Sequence, residues 1–519
     1  MPLTSALKPL RAKAGLLRGK VLGIKKIYAY SGLAIFVILA ALALLFLFPK
    51  HGKVYDSIAV LPFENLSGDS DQDYFSDEFT DELITRLYAI ESLRVTSFRQ
   101  VKDYKNTKKS YREIGQELKV KAVLDAGMHR VGKRVRITPK LIDAESGRAI
   151  WVPSPHERDE EDILALQSEV ALDIVRKIQV VLSLDEQKRL ASSQKVDPRA
   201  YDAYLEAKKN DKAFNSDPTF ERWKSIYAYI QKAIDIDSQY APFYWYLSRF
   251  WLLGQGNNFI SAKEALAGAE AAIEKGLALD RDSSEMHIAA ATLNQLKWDW
   301  EGCMREAKRA VELAPGDPNS HNWYSVALGT LGFFNESIAE IKRAIQLDPS
   351  FDTSGLLMGW AYFFSRRYEE AIAVLREGLQ RVPNDAFAQS CLSICYAMKG
   401  MRAEASAEAD KCLASLSPSE KGFLHLNVAL VYAQVGRSQD ALKLLDECLA
   451  SRKEKPIDAY TIAEIYSALG EKDEAFRWLE KTCQERLSTM FQLKTDPFLD
   501  NLRSDPRFKE YLKLAGFEK

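Results

Sequence analysis

Hydrophobic positions fall into three regimes along the chain. Residues 27–48, IYAYSGLAIFVILAALALLFLF, form an unbroken run of 22 uncharged residues. As a helix that run spans roughly 33 Å, enough to cross the hydrocarbon core of a bilayer, so it predicts a single transmembrane helix. Between residues 54 and 185 the period switches back and forth between two and 3.6. DSIAVLPF, LRVTSF, AVLDAGMHRV, RVRITPKLIDAES and AIWVPSPHE read as strands. Phe75, Phe79, Leu83, Ile84 and Leu87 mark one helical stripe, a short helix covers Tyr111 to Leu118, and Ile163, Leu166, Val170, Ile174 and Ile178 mark a third helix. The predicted order is βαβαβββα, a small α/β domain. From residue 199 onward only the helical period remains, and it recurs.

Pro315, Pro349 and Pro383 lie 34 residues apart and close helices in VELAPGDP, IQLDPS and LQRVPND. That period is the signature of tetratricopeptide (TPR) hairpins. Gly332, Gly400, Gly436 and Gly470 share the inter-helix turn, with Arg366 standing in one unit. Five positions later come Ser337, Ala371, Ala405, Ala441 and Ala475, where two helices approach too closely for a larger side chain. Tyr362, Tyr396, Tyr432 and Tyr466 occupy another shared position. About eight repeats fill residues 199–489, and residues 490–519 are expected to form a C-terminal capping helix over the last apolar face. The expected fold class is mainly α: a basic leader (1–26), a transmembrane helix (27–48), a small α/β domain (54–185) and an α-solenoid of TPR hairpins.

Charge adds a direction. Over the whole chain 71 basic residues nearly cancel 72 acidic ones, so no general pull toward nucleic acid exists and none is expected as a partner. Locally, Lys8, Arg11, Lys13, Arg18, Lys20, Lys25 and Lys26 precede the apolar run with no acid among them, whereas only Lys50 and Lys53 follow it closely. The positive-inside bias then places the amino terminus in the cytoplasm and the bulk of the chain on the periplasmic face of a bacterial inner membrane. FPKHGKVY lacks a signal-peptidase pattern, so the run reads as an uncleaved anchor contacting lipid.

Candidate chemistry is sparse. Gly127 to Arg134 imitates a phosphate loop but ends in Arg134 where a Mg²⁺-binding hydroxyl is needed, and it joins two strands rather than opening a helix. Asp69, Asp71 and Asp73 alternate like a calcium loop, yet Tyr74 and Thr80 stand where its glycine and bidentate glutamate belong. Cys303, Cys412 and Cys448 occupy close-packing positions, and Cys391 with Cys395 makes too small a set for zinc. The six histidines form no ligand pattern. No catalytic residue, metal site or cofactor is expected, and the chain reads as a non-enzyme.

SIAVLPFENLSGDSDQDYFSDEFTDELITRL and YREIGQELKVKAVLDAGMHRVGKRVRITPKLIDAESGRAIW together resemble the TolB-like amino-terminal domain over about 130 residues. In that family the domain often sits between a cytoplasmic output module, a class III nucleotide cyclase or a winged-helix DNA-binding domain, and a TPR array. Only about 26 residues precede the apolar run here, so neither output role is carried over.

Resemblance to TPR units places Trp360, Phe363 and Phe364, then Ile394 and Met398, then Phe423, Leu426 and Leu430 on the concave groove. Those apolar and aromatic side chains would suit a hydrophobic peptide or helix of a protein partner. Alternatively the α/β domain or the terminal helices fill the trough from within. The resulting functional expectation is a membrane-anchored TPR scaffold or adaptor. The alternative is a sensory subunit of a signalling system, related to cyclases or winged-helix regulators and lacking its own output domain.

Overall fold

The computed structural model describes residues 55–69, 72–192, 195–257, 259–352, 355–416, 422–451 and 458–518. The leader and the transmembrane helix expected at residues 27–48 lie outside the described residues. Among the described residues no helix is long and apolar enough to cross a membrane.

The α/β domain is built on a seven-stranded mixed sheet. Its centre is β1 (Ser57–Val60), buried at every position, which pairs in parallel with β3 (Arg94–Val95) and β4 (Ala122–Val131). The two-residue β2 (Glu64–Asn65) also runs parallel to β4. β5 (Arg134–Asp143) returns antiparallel to β4, with Val131 opposite Arg134, so Gly132 and Lys133 alone make the turn. Gly132 has φ +59°, the left-handed backbone that such a two-residue hairpin requires. The phosphate-loop imitation is therefore a β-hairpin.

Two expectations need correcting. The strand read in LRVTSF shrinks to β3 because Ser97 turns the chain into a one-turn helix, Phe98–Val101, its hydroxyl accepting from the Gln100 N–H. The strand read in AIWVPSPHE divides into β6 (Ala149–Trp151) and β7 (His156–Asp159), both paired with β5. Pro153 and Pro155 lie between them, and neither can donate a ladder hydrogen bond. Helix α1 (Asp73–Leu87) buries Phe75, Phe79, Leu83, Ile84 and Leu87, and α3 (Ile163–Ile178) packs beside it. Helix α2 (Tyr111–Leu118) starts in a capping box of Ser110 and Glu113. Helix α4 (Leu184–Ala191) leads out of the domain.

Eight helical hairpins follow. They are α5 (Pro198–Ser216) with α6 (Phe220–Ile236), α7 (Ala241–Gly256) with α8 (Ala262–Leu279), α9 (Ser284–Leu296) with α10 (Trp300–Leu313), and α11 (Pro318–Leu331) with α12 (Phe334–Leu347). Then come α13 (Leu356–Phe364) with α14 (Tyr368–Arg381), α15 (Ala386–Met398) with α16 (Arg402–Ser415), α17 (Phe423–Val435) with α18 (Ser438–Ser451), and α19 (Ala459–Leu469) with α20 (Lys472–Glu485). From α7 onward, several first helices pack on the first helix of the next unit, α17 on α19 above all, so first helices form the inner wall.

The repeat logic is visible residue by residue. Gly332, Gly400, Gly436 and Gly470 turn with φ between +80° and +90°, and Arg366 holds the same conformation at +61°. Trp298, one period before Gly332, does so at +62°. Ala371, Ala405, Ala441 and Ala475 are fully buried, and Ser337 nearly so. A second bond recurs on the same period: His287 Nδ1 lies 2.8 Å from Glu306 Oε2, His321 Nδ1 lies 2.5 Å from Glu340 Oε2, and Gln389 donates to Glu408 at 3.3 Å. The expected single capping helix over 490–519 is instead two 3₁₀ segments, Ser488–Gln492 and Pro497–Leu502, followed by α21 (Pro506–Leu514). Aspartates and prolines at 496–497 and 505–506 start new turns and break what would have been one helix.

Candidate functional site

The groove residues proposed from sequence do not form one open surface. Phe363, Ile394, Leu426 and Leu430 are at most 2% exposed, so they belong to the packed interior. Trp360, Phe364 and Met398 are partly exposed around that core. The side chain of Phe423 lies outside the described residues. Trp360 stacks on Phe364 with centroids 5.4 Å apart, and both meet Phe363 nearly edge-on. Gly359 allows this: a Cβ there would stand 2.8 Å from Leu375, so α13 presses directly on α14.

What closes this half of the groove is the chain's own tail. Phe498 sits 5.9 Å from Phe363, centroid to centroid, and is buried with Leu499 and Leu502 in the same core. The segment crosses the inter-helix turns in order. Trp298 Nε1 donates to the Leu487 carbonyl at 3.2 Å, Lys494 Nζ to the Leu331 carbonyl at 3.0 Å, and Arg366 pairs with Asp500 at 2.7 Å. On the other side Ser467 donates to the Phe498 carbonyl at 2.7 Å, and the Tyr460 hydroxyl donates to Asp496 at 3.0 Å. Burial beside Asp496 pushes the Glu464 carboxyl far above its usual range. Phe517 finally stacks on Trp300, 5.0 Å between centroids, and Trp300 Nε1 donates to the Ala515 carbonyl at 2.6 Å.

The first half of the groove holds a different occupant. Helix α1 runs antiparallel to α5: Tyr74 lies under Lys212, Glu78 pairs with Lys208, and Glu82 accepts from the Tyr201 hydroxyl at 3.0 Å. Phe75 meets Tyr201 edge-on at 6.1 Å. At the end of α1 the Gly316 N–H, in the loop before α11, donates to the Tyr88 carbonyl at 2.9 Å. Gly316 has no room for a side chain, because a Cβ would stand 3.1 Å from the Tyr88 backbone. Ser97 adds a 2.6 Å bond to Asp348. Arg130 of β4 reaches both Glu160 and Asp202 of α5. The α/β domain and the first two repeats share one continuous hydrophobic core.

Electrostatics differs between neighbouring positions of α1. Toward α5, acids meet a base and a hydroxyl. Between Glu78 and Glu82, Asp81 lies near Glu82, Glu285 of α9 and Asp317, the cap of α11, and burial with those like charges pushes its carboxyl up to about 7. Burial also raises Glu82, Glu285 and Asp317. Lys208, mostly buried beside Arg249, is pulled down. Sequence reading missed this site because α1 shows one apolar stripe, while the acids on its other face resemble an ordinary solvated surface. The signal present was that Tyr74 lies among them.

Among the described residues no three or more histidine, cysteine or acidic side chains are disposed to hold a metal. Burial pushes the thiols of Cys303 and Cys395 up to about 12, and those of Cys448 and Cys483 up to about 11, far from nucleophilic thiolates.

Known proteins resemble the chain in parts. A Rhizobium meliloti (strain 1021) protein provisionally named adenylate cyclase 3 is 34% identical over 183 residues, covering 35% of this chain and 31% of its own length. Hsp70-Hsp90 organizing protein 3 of Arabidopsis thaliana is 23% identical over 255 residues, 48% of this chain and 44% of that protein. The chain thus spans under half the length of these curated relatives. Among solved structures, a tetratricopeptide repeat protein from Parabacteroides merdae covers 60% of this chain and 99% of its own at 12% identity and a TM-score of 0.36. YrrB, a TPR protein with an unusual peptide-binding site, covers 42% and 97% at 18% identity and a TM-score of 0.29. Tetratricopeptide repeat models match residues 356–385 and 426–455, which are the α13–α14 and α17–α18 hairpins. Two of the hairpins in the array thus match models of tetratricopeptide repeats.

Proposed function

We propose that the chain is a non-enzymatic adaptor, anchored by residues 27–48 in a bacterial inner membrane with its α/β domain and repeats on the outer face, and that the array binds protein. The observation that carries this reading is the inner wall of the array holding a helix, α1, against α5 through Glu78–Lys208 and Glu82–Tyr201. Gripping a helix inside a groove is the physical act that protein recognition by such repeats requires. The seven-to-two charge bias around residues 27–48 supports the outer location.

A photo-crosslinking residue placed at Lys212 or Trp360 in cells should capture a distinct protein, while the same residue on the outer helix α16 at Lys411 should not. Equal capture from both faces, or from neither, rejects the adaptor. A phosphatase fused after residue 60 should be active outside the cytoplasm, and cytoplasmic-only activity reverses the topology. The second reading, a sensory subunit serving a separate output protein, is favoured by the relative named as an adenylate cyclase. It predicts that the captured protein is a cyclase or transcription regulator.

A further inference from the structure

We propose that the end of the α/β domain where β1 begins sits on the bilayer, with Val181 and Leu184 inserted among lipid headgroups and the basic residues beside them meeting phosphate. This rests on the reading of residues 27–48 as a membrane anchor and adds the surface that the folded part of the chain turns toward lipid.

Several loops meet at that end. β1, β3 and β4 run parallel, so Ser57, Arg94 and Ala122 all start there, and the antiparallel β5 finishes there at Asp143. The Tyr55 N–H donates to the Ile178 carbonyl at 3.4 Å, which brings the loop between α3 and α4 alongside the point where the chain enters the domain. The Tyr55 hydroxyl donates to Asp143 at 2.9 Å and ties in the turn between β5 and β6. Glu186 of α4 accepts from the Glu91 N–H at 3.0 Å, which holds the same loop against the turn before β3.

The loop between α3 and α4 displays the two most exposed large apolar side chains among the described residues. Val181 is 89% exposed and Leu184 75%. Their neighbours Val180 and Leu182 pack against the domain core, so the display is fixed by the fold. Leu184 opens α4 behind the Ser183 cap, which takes its bond from the Glu186 N–H and makes no use of an apolar side chain at 184. Two such side chains in water are unfavourable until an apolar phase covers them.

What covers them follows from where the chain comes from. Phe48, the last of the apolar run, stands seven peptide steps before Tyr55. At no more than about 3.6 Å a step the connection reaches at most about 25 Å, so Tyr55 and the loops bonded to it stay beside the bilayer surface. The charges agree with that occupant. Lys119, Lys121, Arg148 and Lys177 are exposed at this end, with Asp56, Glu91, Glu145 and Asp185 as its exposed acids. Asp56 pairs with Lys121 at 2.6 Å and Asp185 with Lys188 at 3.7 Å. A cleft of about 570 Å³ lined by Arg94, Lys119, Lys121 and Arg343 of α12, with Asp56 and Glu91, has room for a phosphodiester headgroup.

The test uses the full chain in vesicles of phosphatidylethanolamine and phosphatidylglycerol carrying a radiolabelled phospholipid, with a photo-crosslinking residue placed at Val181, Leu184 or Val131. Val131 is the control: it is 59% exposed at the far end of β4, roughly 30 Å from the proposed surface. Lipid capture at positions 181 and 184 should exceed that at 131 at least fivefold, and Lys119→Glu combined with Lys177→Glu should lower it at least twofold. Equal lipid capture from all three positions, capture of a second copy in place of lipid, or a yield indifferent to the two charge reversals overturns the surface. Alkaline carbonate extraction of native membranes reads the anchor separately. If carbonate releases the chain while positions 181 and 184 still capture lipid, the anchor falls and the surface stands. If the chain resists carbonate and neither position captures lipid, the surface falls alone.

Discussion

The two halves of the groove are built from the same repeat and closed in opposite ways. Repeats one to four meet the α/β domain through a shared hydrophobic core, in which Phe75 meets Tyr201, together with charge pairs, hydroxyls, a backbone bond at Gly316 and a side-chain bond at Asp348. Repeats three to eight meet the tail through aromatic carbon, with Phe498 buried against Phe363 and Phe517 stacked on Trp300. Apolar closure has nothing to gain from water and persists across pH. Polar closure exchanges protein partners for solvent at little net cost, so it can open. A single fold thus carries one seal that is mainly apolar and one, conditional on pH, that adds buried ionisable groups to its core.

The largest expected effect tests the permanent seal. Phe498→Ala should destabilise the array by about 3 to 5 kcal/mol in denaturant unfolding, because it removes a buried ring and leaves a cavity beside Phe363. A cost below about 1 kcal/mol would show that the tail is a loose strap rather than core.

Next, Ala371→Leu or Ala405→Leu should cost about 1 to 3 kcal/mol by forcing first and second helices apart at a fully buried position. Unchanged melting in both would refute the repeat register.

The conditional seal should respond to pH. Asp81 is raised to about 7 in the folded protein, so its contribution to docking is fully present below the ordinary carboxylate range and is lost as pH rises through about 7. Because the side chain keeps some solvent, the change should be on the order of 1 kcal/mol, read as increased hydrogen exchange of α1 between pH 6 and pH 8 after correction for intrinsic rates. Asp81→Asn should flatten that response, and a wild-type response that survives in the variant would remove the cluster from the account.

The smallest effect lies within the repeats. His287 is raised because Glu306 and the Arg281 carbonyl both accept from its ring, which outweighs burial, so its stabilisation is present below its ordinary value and fades as pH rises through the raised one. His287→Ala should cost about 1 kcal/mol at pH 5.5 and less at pH 8.5, measured by urea unfolding.

Much of the repeat array is legible in the amino-acid sequence because its determinants are local. A turn needs a left-handed residue, so glycines at 332, 400, 436 and 470 announce it, and close helices need small residues, so alanines five positions later confirm it. Trp298 escaped notice because nothing in an isolated tryptophan signals φ +62°; its turn is held by the indole bond to Leu487, 189 residues away. The groove reading placed Phe363, Ile394, Leu426 and Leu430 on an open surface, and the structure buries them. An apolar residue on an inner wall looks the same in sequence whether it awaits a partner or already touches the chain's own tail.

The sequence by itself determined the sheet-and-helix alternation of residues 54–185 and the repeat period, since each follows from the spacing of residues near one another in the chain. Only the tertiary structure decided what fills the groove. The pairs that do so, Glu78 with Lys208, Tyr88 with Gly316 and Phe363 with Phe498, join residues more than 100 positions apart. No periodicity records a contact at that range, because it depends on how the small rotations between successive repeats add up in space.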